Sequence, residues 1–210
     1  MLDMELDRKL RALLQAAAEK IDRASFEQEP HFTSAFFGKL HEEEVRNSAG
    51  QYIRFKFSAS NDRGRGSAEK QTGIDVGMVF EWTDQDGTIF QKAVLLQAKN
   101  HLLNLSAAEN EELSNQCVKM GALTSSYVVM DCPYDQSIPK VCLAMTTTPY
   151  WVPPPVPLDE FLIHHVLACK QGDVAGNVVQ IARQANRTVF VETNAPVPTS
   201  KPKPKQRPKK

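Results

Sequence analysis

The sequence predicts an α/β domain: a mixed central β-sheet flanked by helices. Three observations carry this expectation. Helical and strand-like periodicities interleave along the chain, an apolar hairpin spans 73–100, and a hydrophobic content of 41% over 210 residues suffices for a sizeable core.

The elements follow in order. Residues 3–22 read as an amphipathic helix, because Leu6, Leu10, Leu13, Leu14, Ala17 and Ile21 recur at helical spacing between charges. A second helix is expected in SFEQEPHFTSAFFGKLHEEEV, entered near Ser25 or Pro30 and carrying Phe32, Phe36, Phe37 and Leu40. Residues 51–58, QYIRFKFS, alternate Tyr52, Arg54 and Lys56 with Ile53, Phe55 and Phe57, the period of a half-buried strand. ASNDRGRGSAEKQTG reads as a loop, being polar and Gly-rich. After the hairpin a helix is expected over 106–123, then strands SYVVMDC and KVCLAMTT joined by a Pro-Tyr-Asp turn. VPPPVP reads as a rigid extended connector. LDEFLIHHVLACK reads as a helix stopping near Gly172, and NVVQIARQANRTVFVET starts helical and ends strand-like. The expected organisation is an N-terminal helix over 1–24, one domain over 25–194, and a disordered Pro/Lys-rich tail over 195–210.

Composition narrows the function classes. No apolar run approaches the roughly 18 residues of a membrane span, so no membrane association is expected. MLDMELDRKL lacks the apolar centre of a signal peptide. Cys117, Cys132, Cys142 and Cys169 show no CxxC spacing, which fits reduced thiols in a cytoplasmic protein. The net charge of zero divides into a body of −6 and a tail of +6, because KPKPKQRPKK holds six of the 25 Lys and Arg and no acid. An acidic body is a poor clamp for a polyanion by itself. The tail suits a flexible arm that contacts nucleic acid or tethers a partner.

The hairpin holds the chemistry. Its return arm AVLL breaks into Gln97-Ala98-Lys99. A two-residue turn at Asp86-Gly87 would set Asp75 opposite Ala98, and a four-residue loop over 84–87 would set it opposite Leu96. In either register Asp75 lies within about two residues of Gln97 and Lys99, which share a face by strand alternation. Val76, Met78, Phe80 and Trp82 form one face of the outgoing arm, and Asp75, Gly77 and Val79 the other. A carboxylate, an amide oxygen and an ammonium at one strand end suit metal-assisted phosphodiester hydrolysis. The two oxygens are hard ligands for Mg²⁺ or Mn²⁺, and the lysine can hold water or screen charge. A plain Asp75–Lys99 ion pair is the alternative.

Asp75, a spacer of about twenty residues and Gln97-x-Lys99 closing an apolar strand resemble the PD-(D/E)xK superfamily. Within it, GSAEKQTGIDVG followed by LLQAKN is similar to Mrr-type nucleases with a QxK motif, including nucleases of bacterial anti-phage defence. The resemblance covers roughly residues 27–130. It implies a restriction-endonuclease-like core of four mixed strands with flanking helices. It also implies Asp75, Gln97 and the Ala98 carbonyl as metal ligands, and Lys99 as the residue that positions water. Gln97 stands where the family usually has Glu or Asp, which removes a charge and favours one weakly held ion. The family often adds an upstream Glu; Glu29 is preferred here, with Glu27 and the run Glu42 to Glu44 as competitors. Glu69 and Gln116 are further candidates for the site. Arg63 and Arg65 in the Gly-rich loop and Lys119 beside Gln116 are candidate nucleic-acid contacts. His164 and His165 are expected at the surface or core edge.

The expected function is a Mg²⁺-dependent DNA endonuclease, the effector of a bacterial defence or restriction system. DNA would be delivered by a regulatory partner protein or by self-assembly. Alternatives are a catalytically silent scaffold of the same fold and an RNA substrate.

Overall fold

The computed structural model of the protein describes residues 2–60, 68–84 and 86–197. Its centre is one eight-stranded mixed sheet in the order β1-β2-β8-β3-β4-β5-β6-β7. The strands are β1 Glu44–Arg46, β2 Tyr52–Ala59, β3 Val76–Thr83, β4 Ile89–Asn100, β5 Tyr127–Cys132, β6 Lys140–Ala144, β7 Trp151–Pro157 and β8 Arg187–Thr193. β3 runs parallel to β8 and β4 parallel to β5, and the remaining neighbours are antiparallel. The α/β expectation therefore holds.

Helices cover both faces, and two separate apolar cores result. On one face α1 Met4–Glu19, α2 Glu29–Lys39 and α5 Leu158–Phe161 with its continuation Leu162–Val166 pack on the Val76, Met78, Phe80 and Trp82 side of the hairpin. Leu6, Leu10 and Leu14 of α1 and Leu158, Phe161 and Val166 share that core, so both apolar helix faces are spent inside the molecule. Asp3 caps α1 by accepting from the Glu5 and Leu6 amides. On the other face α4 Ala107–Leu123 and α6 Gly176–Arg183 cover Val79, Ala93, Leu95 and Val129. A Ser106–Glu109 capping box starts α4. α6 lies on β3 so closely that a Cβ at Gly77 would stand 1.9 Å from the Ala182 carbonyl oxygen, so only glycine fits there.

Four local expectations are corrected. The second helix stops at Lys39; Glu42 adopts a φ of 62°, and Glu44 and Val45 belong to β1. VPPPVP is no connector but part of β7, the sheet edge, where Val141 faces Val156 and Leu143 faces Val152. Proline is tolerated there because an edge strand needs ladder bonds on one side only, and it blunts the edge against further pairing. Residues 68–72 within the expected loop form a short helix, α3 Ala68–Thr72. The hairpin loop has five residues, Asp84 to Thr88, with Asp84 Oδ1 accepting from the Asp86 and Thr88 amides. The expected disordered tail falls largely on residues 198–210, outside the described ones.

Two other expectations hold, those for the cysteines and for the histidines. All four cysteines are free thiols. His164 sits at the surface beside Glu160 at 3.1 Å, and His165 packs on Phe161. No helix among the described residues is long and apolar enough to cross a membrane.

One buried charge stands apart. Lys92 is 2% exposed, donates to the Val166 carbonyl and lies 4.9 Å from the Trp82 ring. Burial holds its pKa below the lysine value of 10.5, opposed in part by Cys169. Between the lowered folded pKa and 10.5 the unfolded chain binds more protons, so this lysine's penalty fades as pH rises through that window. Lys92→Met fills the same space without the charge and should stabilise the protein by about 1–4 kcal/mol at pH 7. Thermal melts should show that gain shrinking as pH rises. A destabilised variant would mean that the Val166 and Trp82 contacts outweigh desolvation.

Candidate active site

The site forms where β3 begins and β4 ends. β3 and β4 pair with Val76 opposite Leu96, one residue between the two registers considered from sequence, so Asp75 enters the hairpin facing Gln97. Its amide donates to the Leu96 carbonyl at 3.0 Å. Alternation then directs Asp75, Gln97 and Lys99 to the face covered by α4 and α6.

Asp75 and Gln97 are both buried. Asp75 Oδ2 accepts from Gln97 Nε2 at 2.6 Å and from the Ala98 amide at 2.9 Å. The same Nε2 lies 3.3 Å from the Ala98 carbonyl oxygen. Gln97 Oε1 is buried without a hydrogen-bond partner among the described residues, and so is Gln116 Oε1 on α4. An orphaned buried acceptor costs roughly 1–3 kcal/mol, so two of them in one region call for a donor or a cation. Gln116 reaches this end of the sheet because α4 presses on the start of the hairpin. A Cβ at Gly73, φ 74°, would lie 2.6 Å from the Gln116 carbonyl oxygen.

Lys99 pairs not with Asp75 but with Glu112 of α4, at 3.5 Å. Glu109, one turn earlier, is held below the ordinary glutamate range mainly by Ser106, with Lys99 and His101 adding to the effect. α4 thus presents two acids toward the lysine.

Among the upstream acids, Glu29 is the one brought to the end of β4, where its Oε1 accepts from the Asn100 amide at 3.2 Å. Glu27 meets the same residue through its backbone carbonyl, which receives Asn100 Nδ2 at 2.9 Å. Glu44 is engaged by Arg46 and Arg54 at the β1 edge of the sheet, four strands from β4, so the Glu42 to Glu44 run is not brought to the site. Glu69 lies in α3, whose backbone alone is described at that position, and Arg63 and Arg65 lie outside the described residues. Lys119 Nζ donates to the Lys70 carbonyl at 2.7 Å, which ties α3 to α4 at an exposed position.

Three neighbours escaped sequence reasoning. Asp131 on β5 stands beside Lys99 in the parallel register, and its Oδ1 accepts from the Leu102 amide at 2.9 Å. Arg23 is 6% exposed and binds Asn100 Oδ1 and the Pro133 carbonyl, fastening the segment before α2 to the ends of β4 and β5. Buried Cys132 lies among them: burial pushes its thiol up, Arg23 opposes, and Asp75, Glu29 and Asp131 add to the rise. The β3–β4 register, the Asn100 amide and the β4–β5 register place Asp75, Glu29 and Asp131 respectively at that end of the sheet. The only sequence signal for Asp131 is an acid closing the apolar run YVVM, the same break that marks Gln97 after AVLL.

Among the described residues no three His, Cys, Asp or Glu side chains converge tightly enough to hold a metal by themselves. The candidate donor set is mixed: one carboxylate, one amide oxygen and one peptide carbonyl. Comparisons of the chain with protein-family models, curated proteins and solved structures return no match.

Proposed function

We propose that this chain is a divalent-metal-dependent DNA endonuclease of the PD-(D/E)xK kind, with a restriction-endonuclease-like core inside the observed sheet. The observation that carries the reading is Asp75 facing Gln97 across β3 and β4, with Lys99 one step further along the same face. A role as effector of a bacterial defence or restriction system follows from the same resemblance. The acidic body makes delivery of DNA by a partner protein or by self-association the natural arrangement.

The residues fit Mg²⁺ or Mn²⁺ once a single group turns. Gln97 Nε2 sits against two of the three donors, Asp75 Oδ2 and the Ala98 carbonyl, while its Oε1 has no partner among the described residues. Rotating the amide by half a turn would replace two N–H donations with a third oxygen facing the other two. Without a cation, that arrangement is repulsive; with one, it is a hard-oxygen site that also relieves the orphan. Gln97 therefore supplies its own amide as a placeholder for the ion. A bound divalent cation would lower the pKa of a water and offset charge on the phosphate.

The chain's own residues do the rest. Asp75 and the Ala98 carbonyl anchor the site on paired strands, where ladder bonds leave little freedom. Lys99, released from Glu112, can hold the attacking water or neutralise the phosphate oxygen that gains charge. Glu29 accepts a hydrogen bond at the end of β4 and can orient a second water on that side.

The test is supercoiled plasmid incubated with the protein and Mg²⁺ or Mn²⁺, with EDTA in parallel. Metal-dependent nicking or linearisation is expected. Absence of cleavage, with and without the product of a neighbouring gene, would leave the silent scaffold in its place.

A further inference from the structure

Beyond Lys99 a run of planar groups rises out of the fold. The Arg23 guanidinium carbon lies 4.8 Å from the Phe32 ring and 4.4 Å from the Tyr134 ring. The His101 ring stacks on Tyr134 at 4.3 Å, with only 6° between the planes. Phe32 belongs to the core beneath α2, but His101 and Tyr134 belong to neither core; His101 is exposed and Tyr134 is 49% exposed. Burial alone does not explain two rings held parallel at the surface. The backbone holds them there: His101 adopts φ 50°, ψ 45°, and the next amide, Leu102, is fastened to Asp131. The stacked pair walls an open cavity of about 300 Å³, lined also by Asp131, Asp135, Ser137 and Lys140.

We propose that this cavity receives one unpaired nucleobase of a nucleic-acid strand, stacked against the His101–Tyr134 pair. The choice of nucleic acid as ligand rests on the nuclease reading. Lys99 and His101 are two residues apart on one strand end, so a strand whose phosphate meets Lys99 has its adjacent nucleotide within reach of the rings. Stacking needs a flat, rigid partner, and a ring pair braced from below by a buried guanidinium loses little entropy on binding. The cavity's charge decides what the base edge must offer. Asp131 and Asp135 each spend Oδ1 on backbone amides, from Leu102 and Ser137, and both carboxylates are acceptors only. They suit a base with an exocyclic amine and disfavour thymine, whose edge carries carbonyl oxygens there. Lys140 gives the one cation on the cavity wall toward a phosphate among the described residues.

The experiment is fluorescence anisotropy of labelled dC10 and dT10 with the full chain in EDTA. His101→Asn keeps a residue that tolerates positive φ and removes the ring; Tyr134→Ala removes the other ring, and Tyr134→Phe keeps it. The first two should weaken dC10 binding roughly 5- to 150-fold, Tyr134→Phe should match the parent, and dT10 should bind more weakly than dC10. Melting curves accompany each variant, and exposed His101 carries the test if Tyr134→Ala does not fold. Unchanged binding by His101→Asn, equal affinity for dC10 and dT10, or no binding by the parent would each overturn the proposal. Plasmid cleavage separates the two readings. Ring-dependent binding without metal-dependent cleavage keeps the base site and removes the nuclease, and cleavage with ring-independent binding does the reverse.

Discussion

Asp75→Asn is expected to cut metal-dependent plasmid cleavage at least about 10²-fold, because it removes the only charged donor of the proposed ion site. Asparagine keeps the shape and can still accept from the Ala98 amide, the bond that ties the start of β3 to the end of β4. The fold should therefore survive, and a melting temperature near the parent's is part of the expected result. Alanine would be a poorer choice, since it would leave the Ala98 amide without its acceptor and remove the shorter of the two bonds from Gln97 Nε2. Lys99→Met should lower the rate by about 10²–10⁴-fold, the range for a group that handles the nucleophile's proton or the developing charge. Among the described residues its one ion pair is with exposed Glu112, a kind of pair that stabilises little. Time courses on plasmid with each variant check both numbers. Cleavage at the parent rate by either would remove the site from Asp75 and Lys99, whatever the protein's activity.

Gln97→Glu should have the largest effect on stability, and the sign should reverse with metal. A second carboxylate would sit where Gln97 Nε2 now donates to Asp75 Oδ2 at 2.6 Å, inside the sheet. Two carboxylates at that distance cannot both be charged cheaply, so without metal the variant should lose roughly 3 kcal/mol. A divalent cation turns the same pair into a stronger site than the parent's, because the ligand set gains a charge and needs no amide rotation. Differential scanning fluorimetry with and without Mg²⁺ should show a lower starting melting temperature and a larger upward shift than for the parent. Equal shifts in the two proteins would mean that Gln97 does not face the ion.

Much of the candidate site's geometry is legible in the sequence, and the reason is local. Strand alternation and a short hairpin confine Asp75, Gln97 and Lys99 to one face and one end, and the error in loop length displaced Asp75 by a single residue. Even the missed five-residue loop left the three within reach, since the candidate registers bracketed the real one. The place of Glu29 just ahead of the apolar run at Phe32 favours it, but its competitor Glu27 differs by two residues and only the fold separates them. Its bond to the Asn100 amide joins residues 71 apart, and Arg23 reaches Asn100 across 77. No periodicity carries information over such distances. An acid at a strand end is ordinary, so nothing in the sequence singles out Asp131; its place beside Lys99 comes from the β4–α4–β5 crossover.

The sheet shows the same division. Hydrophobic periods of two and of 3.6 residues suffice to predict β2, β3, β4, β5, α1 and α4, because each period states which face a segment must bury. They cannot say that β8, last in the chain, slots between β2 and β3, or that a proline run forms the opposite edge. Those outcomes depend on which edges and faces remain unpaired once the others have formed. By itself, then, the sequence determined an α/β domain and a carboxylate–amide–amine row at the end of a core hairpin. Tertiary structure alone decided which glutamate meets the end of β4, that Lys99 is held by α4, and that two rings stand open beside it. Backbone alternation acts between neighbours along one chain segment, whereas these placements come from burying two distinct cores against a single sheet.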